Sequence, residues 1–227
     1  MNFFKFGIIG FIILNYIVLG CGKAPPSQFS NIPSQSLSKF DRELFARATL
    51  HQLKGQIDSA IVLWKKFLQR NPNSFEVRNN LGLLYYANDE IVKAIYHYDQ
   101  GLKLRPREDK LKMNLVRALK VQSAILEENR EYDEAIVGLS RIVQLSPAKE
   151  QEAIERQIEA LEDQIFKQVK KSDSMGEYQE FLKKYPRSPG NSDEARLWIE
   201  NKLKAKKMGN QGSLSSDFQP SLATESR

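Results

Sequence analysis

The 227-residue chain contains one cysteine, Cys21, and only two histidines, His51 and His97. A lone cysteine excludes an intramolecular disulfide and any Cys-based metal cluster. His51 and His97 belong to no His-x-x-x-His or Glu-x-x-His pattern, so a transition-metal site has no ligand set. The 12 glycines are scattered, and none stands in the G-x-x-x-x-G-K spacing of a phosphate-cradling loop. Serines concentrate near the two ends of the chain, where no base is held beside them, so nucleophilic catalysis lacks its partner. Acid pairs such as Glu127-Glu128 lie in charged stretches and read as solvated. No enzyme activity, metal or cofactor is therefore expected. The formal net charge is +6, spread along the chain rather than gathered in an Arg-rich block, so nucleic acid is not an expected partner. A long hydrophobic run is missing too. The apolar stretch Phe6–Leu19 has 14 residues, about 21 Å as a helix, short of the ~30 Å hydrocarbon core of a membrane.

What the N-terminus has instead is an address. Lys5 supplies a positive start, Phe6–Leu19 an apolar middle, and small Gly20 precedes Cys21, the order of a secretory signal. Val18-Leu19-Gly20-Cys21 resembles the lipobox of bacterial lipoproteins. The resemblance implies a signal peptide over 1–20, cleavage after Gly20, diacylglycerol on the Cys21 thiol and fatty acylation of the freed amine. An uncleaved anchor is the alternative. Lipidation would place the protein in the cell envelope, on the periplasmic face of the outer membrane in a bacterium with two membranes. Residues 21–39 are rich in Ser and Pro and form a tether that, as a coil, spans roughly 25 Å. Residues 207–227 are similarly polar and are expected to be disordered.

Between them the chain repeats. Ala60 matches Ala94, Trp64 matches Tyr98, Leu68 matches Leu102 and Pro72 matches Pro106, every pair 34 residues apart. That period with those residue types resembles the tetratricopeptide repeat, and implies an all-α solenoid of about three to four helical hairpins. The physical reasons are separable. Small Ala60 and Ala94 let the second helix of a hairpin approach the first. Trp64 and Tyr98 fill the gap to the next hairpin. Pro72 and Pro106 end the second helix, lacking an N–H and clashing with the turn before. Gly82 is the small residue expected at a close helix contact; the first hairpin has Ala48 there, and His51 where the second has an aromatic.

The units are expected at 41–74, 75–108, 109–149 and 150–189, with a cap over 191–206. In the third, the closing Pro147 falls 41 residues after Pro106. The seven extra residues are assigned to the first helix, because Lys110 to Glu128 has no Pro or Gly and keeps Leu111, Leu115, Ala118, Leu119, Gln122 and Ile125 on one face. In the fourth, Ile154, Ile158, Leu161, Ile165 and Val169 mark an amphipathic helix; solenoid packing is expected, with a homo-oligomer seam through 151–170 as the alternative. Glu177 to Pro189 looks like the repeats of envelope-assembly and Tol-associated periplasmic proteins, and Ser192 is expected to cap the last helix.

In the repeat family, first-helix residues line a groove that holds a protein or peptide. Carried over position by position, these are Arg42, Phe45, Thr49 and Gln52; Glu76, Asn79, Leu83 and Tyr86; and Lys110, Met113, Arg117 and Lys120. Members that grip C-terminal carboxylates use a Lys/Asn/Arg set. Here Phe45, Thr49 and Asn114 depart from it and only Asn80 and Lys110 agree, so carboxylate clamping is not expected. The lining suits an extended or helical peptide of some acidic character. The expectation is a membrane-anchored scaffold in an envelope complex; the alternative is an accessory subunit of outer-membrane protein assembly or export that acts on client proteins.

Overall fold

The computed structural model describes residues 37–214, with side chains to residue 208. The expected signal peptide, Cys21 and nearly all of the tether lie outside the described residues, as do residues 215–227 of the tail. Among the described residues there are nine helices and no strand: α1 (Lys39–Leu53), α2 (Ile57–Arg70), α3 (Phe75–Ala87), α4 (Ile91–Leu104), α5 (Asp109–Glu128), α6 (Tyr132–Leu145), α7 (Ala148–Ser172), α8 (Met175–Lys184) and α9 (Asn191–Leu214). The architecture is an all-helical array of hairpins. Two compact units divide within α7, one ending at Gln151 and the other beginning at Glu152.

In the first unit, α1–α2, α3–α4 and α5–α6 are three successive hairpins. Ser38 and Ser74 open α1 and α3, their hydroxyls accepting from the backbone N–H of Asp41 (3.1 Å) and Val77 (3.3 Å). Pro72, Pro106 and Pro147 each stand two residues beyond the last helical residue of α2, α4 and α6. The turns inside the hairpins are also alike. Gln56, Glu90 and Glu131 donate their N–H to the carbonyls of His51, Tyr85 and Leu126 at 2.9, 2.9 and 2.8 Å, closing the same helix-end motif three times. That motif needs a left-handed residue, supplied by Gly55 (φ 70°), Asp89 (57°) and Arg130 (65°).

The core falls on the repeat positions. Ala60, Ala94 and Ala135 are fully buried, and Trp64, Tyr98 and Leu139 lie beneath the surface at the position four residues on. Trp64 packs edge-on to Phe45 and Phe67, at ring separations of 4.7 and 6.1 Å, and its Nε1–H donates to Gln52 Oε1 at 2.8 Å. Truncating a buried aromatic of this kind costs ~3–5 kcal/mol. The length of α5, 20 residues against 13 for α3, puts the seven-residue insertion in the first helix of the third hairpin. Its buried face runs through Leu111, Asn114, Leu115, Ala118, Leu119 and Ser123. The expected Ile125 is instead exposed, because the far half of α5 seats on α6 through Ser123, whose Oγ would lie 2.4 Å from a Cβ at Gly138.

In the second unit the core is Phe166 and Val169 of α7, Tyr178 and Phe181 of α8, and Ala195 of α9. Tyr178 stacks on Trp198 with centroids 3.9 Å apart. Ile154, Leu161 and Val169 of the expected stripe are buried, whereas Ile158 and Ile165 are half-buried and Phe166 takes the central place. Two further expectations are corrected. Ser192 does not cap α9: the helix begins a residue earlier, and the Ser192 hydroxyl donates to the Tyr185 carbonyl at 2.7 Å. Helix α9 also continues to Leu214 rather than ending at Lys206, since no proline or capping turn stops it there.

A candidate binding face on the first helices of the hairpins

The twelve residues expected to line a groove divide by burial. Arg42, Lys110, Met113, Arg117 and Lys120 are exposed, Phe45, Thr49, Glu76 and Tyr86 half-buried, and Gln52, Asn79 and Leu83 buried. The last three are corrections, because the packed side of each first helix takes in part of the stripe that sequence position assigns to the groove. Gln52 is spent on the Trp64 indole. Leu83 retains 3% of its surface. Asn79, 1% exposed, accepts from Asn114 Nδ2 at 2.8 Å and ties α3 to α5. A buried amide pair of this sort is a fixed polar seam rather than a contact surface, since moving either side chain breaks a buried hydrogen bond.

The first hairpin contributes little that is free to engage. The Thr49 hydroxyl donates to the Phe45 carbonyl at 3.0 Å, Phe45 belongs to the aromatic cluster, and Arg42 Nη1 donates to the Leu37 carbonyl at 2.6 Å. Glu76 accepts from Ser74 Oγ at 3.2 Å beside the start of α3.

Between the second and third hairpins the arrangement differs. Tyr98 of α4 is buried here, within electrostatic reach of Arg117 on α5 and Tyr86 on α3. Tyr98 is 1% exposed, and burial pushes its phenol far above the ordinary range while the Arg117 cation opposes the shift. The hydroxyl is therefore neutral at any physiological pH. Lys110, Met113, Arg117 and Lys120 recur three, four and three residues apart along α5 and share one exposed stripe. The result is an exposed strip of three cations and a thioether on α5, the helix that the Asn79–Asn114 hydrogen bond ties to α3. Position alone missed Tyr98 and Asn114 as members of this site. The signal for Asn114 was present, since it stands 34 residues after Asn80. Chemically the strip offers hydrogen-bond donors, positive charge and apolar contact. Among the described residues no group of three or more His, Cys, Asp or Glu could hold a metal.

Residues 44–74, from Leu44 of α1 to the start of α3, match the tetratricopeptide-repeat family. Among curated proteins, none matches the chain. Of solved structures, a crystal structure of MamA protein is 18% identical, with 83% of this chain and 100% of that chain covered and a TM-score of 0.40. The MamA RS-1 ArsTM double mutant is 15% identical over 75% of this chain and 98% of its own, again with a TM-score of 0.40. The first hairpin thus matches the tetratricopeptide repeat by sequence, and α3–α4 and α5–α6 reproduce its alanines, turns and closing prolines. An array of such hairpins presents extended surfaces of the kind that repeat proteins use for binding.

Proposed function

We propose that the chain is a membrane-tethered adaptor that holds an acidic peptide segment of a partner protein against the α3–α5 face, within a bacterial envelope complex. The observation that carries the reading is the exposed cationic stripe Lys110–Arg117–Lys120 on α5, the helix hydrogen-bonded to α3 through Asn114 and Asn79. Carboxylates of a partner would meet Lys and Arg donors there, and an aromatic or aliphatic side chain would meet Tyr86 and Met113. Tyr and Arg are the residue types that most often dominate interfaces. Val18-Leu19-Gly20-Cys21 supports the tether, which would raise the local concentration of the adaptor at a membrane-bound partner without adding any contact.

Crosslinking from the native membrane, followed by mass spectrometry, tests the reading. A single stable partner, crosslinked to α5 through an acidic segment, is the expected result. A broad set of unrelated clients would favour the assembly-accessory role instead. The tether is tested separately by Cys21→Ala and cell fractionation. The variant is expected to lose processing after Gly20 and to leave the membrane fraction; unchanged processing and partitioning would remove the lipoprotein reading while leaving the adaptor intact.

A further inference from the structure

The second helices of the first three hairpins carry a pattern of their own. Val62 on α2, Tyr96 on α4 and Val137 on α6 occupy one repeat position, and they remain 64%, 54% and 63% exposed. Isolated exposed apolar residues are ordinary; three at equivalent positions in the second helices of consecutive hairpins form a row. The helices are neighbours on this side: Arg141 Nη2 of α6 donates to Asp99 Oδ1 of α4 at 2.6 Å, and the Lys65 cation of α2 acts on His97 of α4. A shallow hollow of about 480 Å³ lies beside Tyr96, between α4 and α6.

The charges flanking the row are ordered. On α2 the stripe at four-residue spacing reads Asp58–Val62–Lys66, and on α6 it reads Asp133–Val137–Arg141. Each is acid, apolar, base, with the apolar residue central. A second copy turned by a two-fold axis running along the row would lay each helix antiparallel to its own counterpart. Val62 then faces Val62 and Tyr96 faces Tyr96, while Asp58 faces Lys66 of the second copy and Asp133 faces Arg141 of the second copy. Both ends of both stripes meet opposite charge. Arg141 can serve Asp99 and a further carboxylate together, since a guanidinium has five N–H donors. An arrangement with the axis along the helices instead brings Lys66 toward Arg141 and loses this match.

We propose that the Val62–Tyr96–Val137 face pairs with the same face of a second copy of this chain, in an antiparallel two-fold contact centred on Tyr96. This surface is distinct from the 151–170 stretch and from the α3–α5 face, which it leaves open for a partner.

The test is sedimentation velocity on the purified full-length chain in detergent, across a range of concentrations, with circular dichroism melts as the control for folding. The wild type is expected to self-associate, and Tyr96→Glu to abolish the association. Asp58→Lys places Lys opposite Lys66, and Lys66→Asp places Asp opposite Asp58, so each alone should weaken association roughly tenfold or more. The double variant restores opposite charge and should recover association, as should an equimolar mixture of the two single variants. A wild type that stays monomeric overturns the proposal. So does a Tyr96→Glu variant that associates as the wild type does, or a double variant no better than either single one.

Discussion

A β-carbon placed on Gly82 would lie 2.3 Å from Cε1 of Tyr98, so the α3 backbone rests directly against the face of that ring. The ring cannot swing away, because Tyr98 retains 1% of its surface. Gly82→Ala is a gain of ~1 kcal/mol in helix propensity set against an overpacking cost of ~1–3 kcal/mol. With so short a separation we expect overpacking to win, lowering the melting temperature by several degrees. Tyr98→Leu, the residue that Leu139 supplies at the same position of the third hairpin, should relieve the clash. The double variant is then expected to be less destabilised than the sum of the single ones, by about 1 kcal/mol. Strict additivity would mean that the ring is not what meets the new methyl group.

The hairpin turns give a prediction of the opposite sign. Arg130 holds φ at 65° where the first hairpin has Gly55 at 70°, and its side chain is exposed. A non-glycine residue in the left-handed region carries a strain that glycine does not, up to about 1 kcal/mol at an exposed site. Arg130→Gly should raise the melting temperature, and Gly55→Ala should lower it. Both follow from a calorimetric scan; a destabilised Arg130→Gly would show that its side chain, not its backbone, matters to the turn.

His97 makes stability fall with acid. Its ring stacks on Tyr85 at 5.3 Å, its buried Nδ1 has no hydrogen-bond partner, and burial, then the Arg78 and Lys65 cations, lower its pKa from 6.5 to about 4. Between those values the unfolded chain takes up the proton and the folded one does not. The His97 contribution is therefore complete above pH 6.5 and declines as the pH falls toward about 4, by up to roughly 3 kcal/mol. His97→Leu, matching Leu63 in the first hairpin, should flatten this window in urea melts recorded from pH 7 to 4, once the carboxylate contribution common to both proteins is subtracted. An unchanged slope would mean that His97 is already solvated.

The hairpins and the insertion were legible because their signals are local and periodic. Ala60 and Ala94, Trp64 and Tyr98, and the three prolines repeat at positions where only packing or chain reversal decides the residue. The uninterrupted run from Lys110 to Glu128 left the seven extra residues nowhere else to go. What escaped were the polar residues that helix packing buries. Gln52 and Asn79 read as surface by type, and only the structure shows the indole and the amide that satisfy them. Phe166 escaped for another reason: it sits one residue past Ile165 on α7, and the order of burial along that stripe is set by α8 and α9, which no periodicity within α7 encodes. For the candidate site the exposed stripe Lys110–Met113–Arg117–Lys120 was readable from spacing. The influence of the Arg117 cation on the buried Tyr98 phenol was not, because it joins different helices.

Partner capture from the native membrane by paired variants tests whether the α3–α5 face holds the partner. Tyr86→Ala with Arg117→Ala removes an aromatic ring of α3 and the central cation of α5; truncations of this kind commonly cost ~2 kcal/mol or more at an interface. Capture should weaken roughly tenfold or more while circular dichroism stays helical. Lys65→Ala with Lys103→Ala, on the second helices, should change capture little beyond a drift that salt removes. Loss of capture in the lysine pair together with full capture in the Tyr86/Arg117 pair would contradict the account, and would move the binding surface to the second helices.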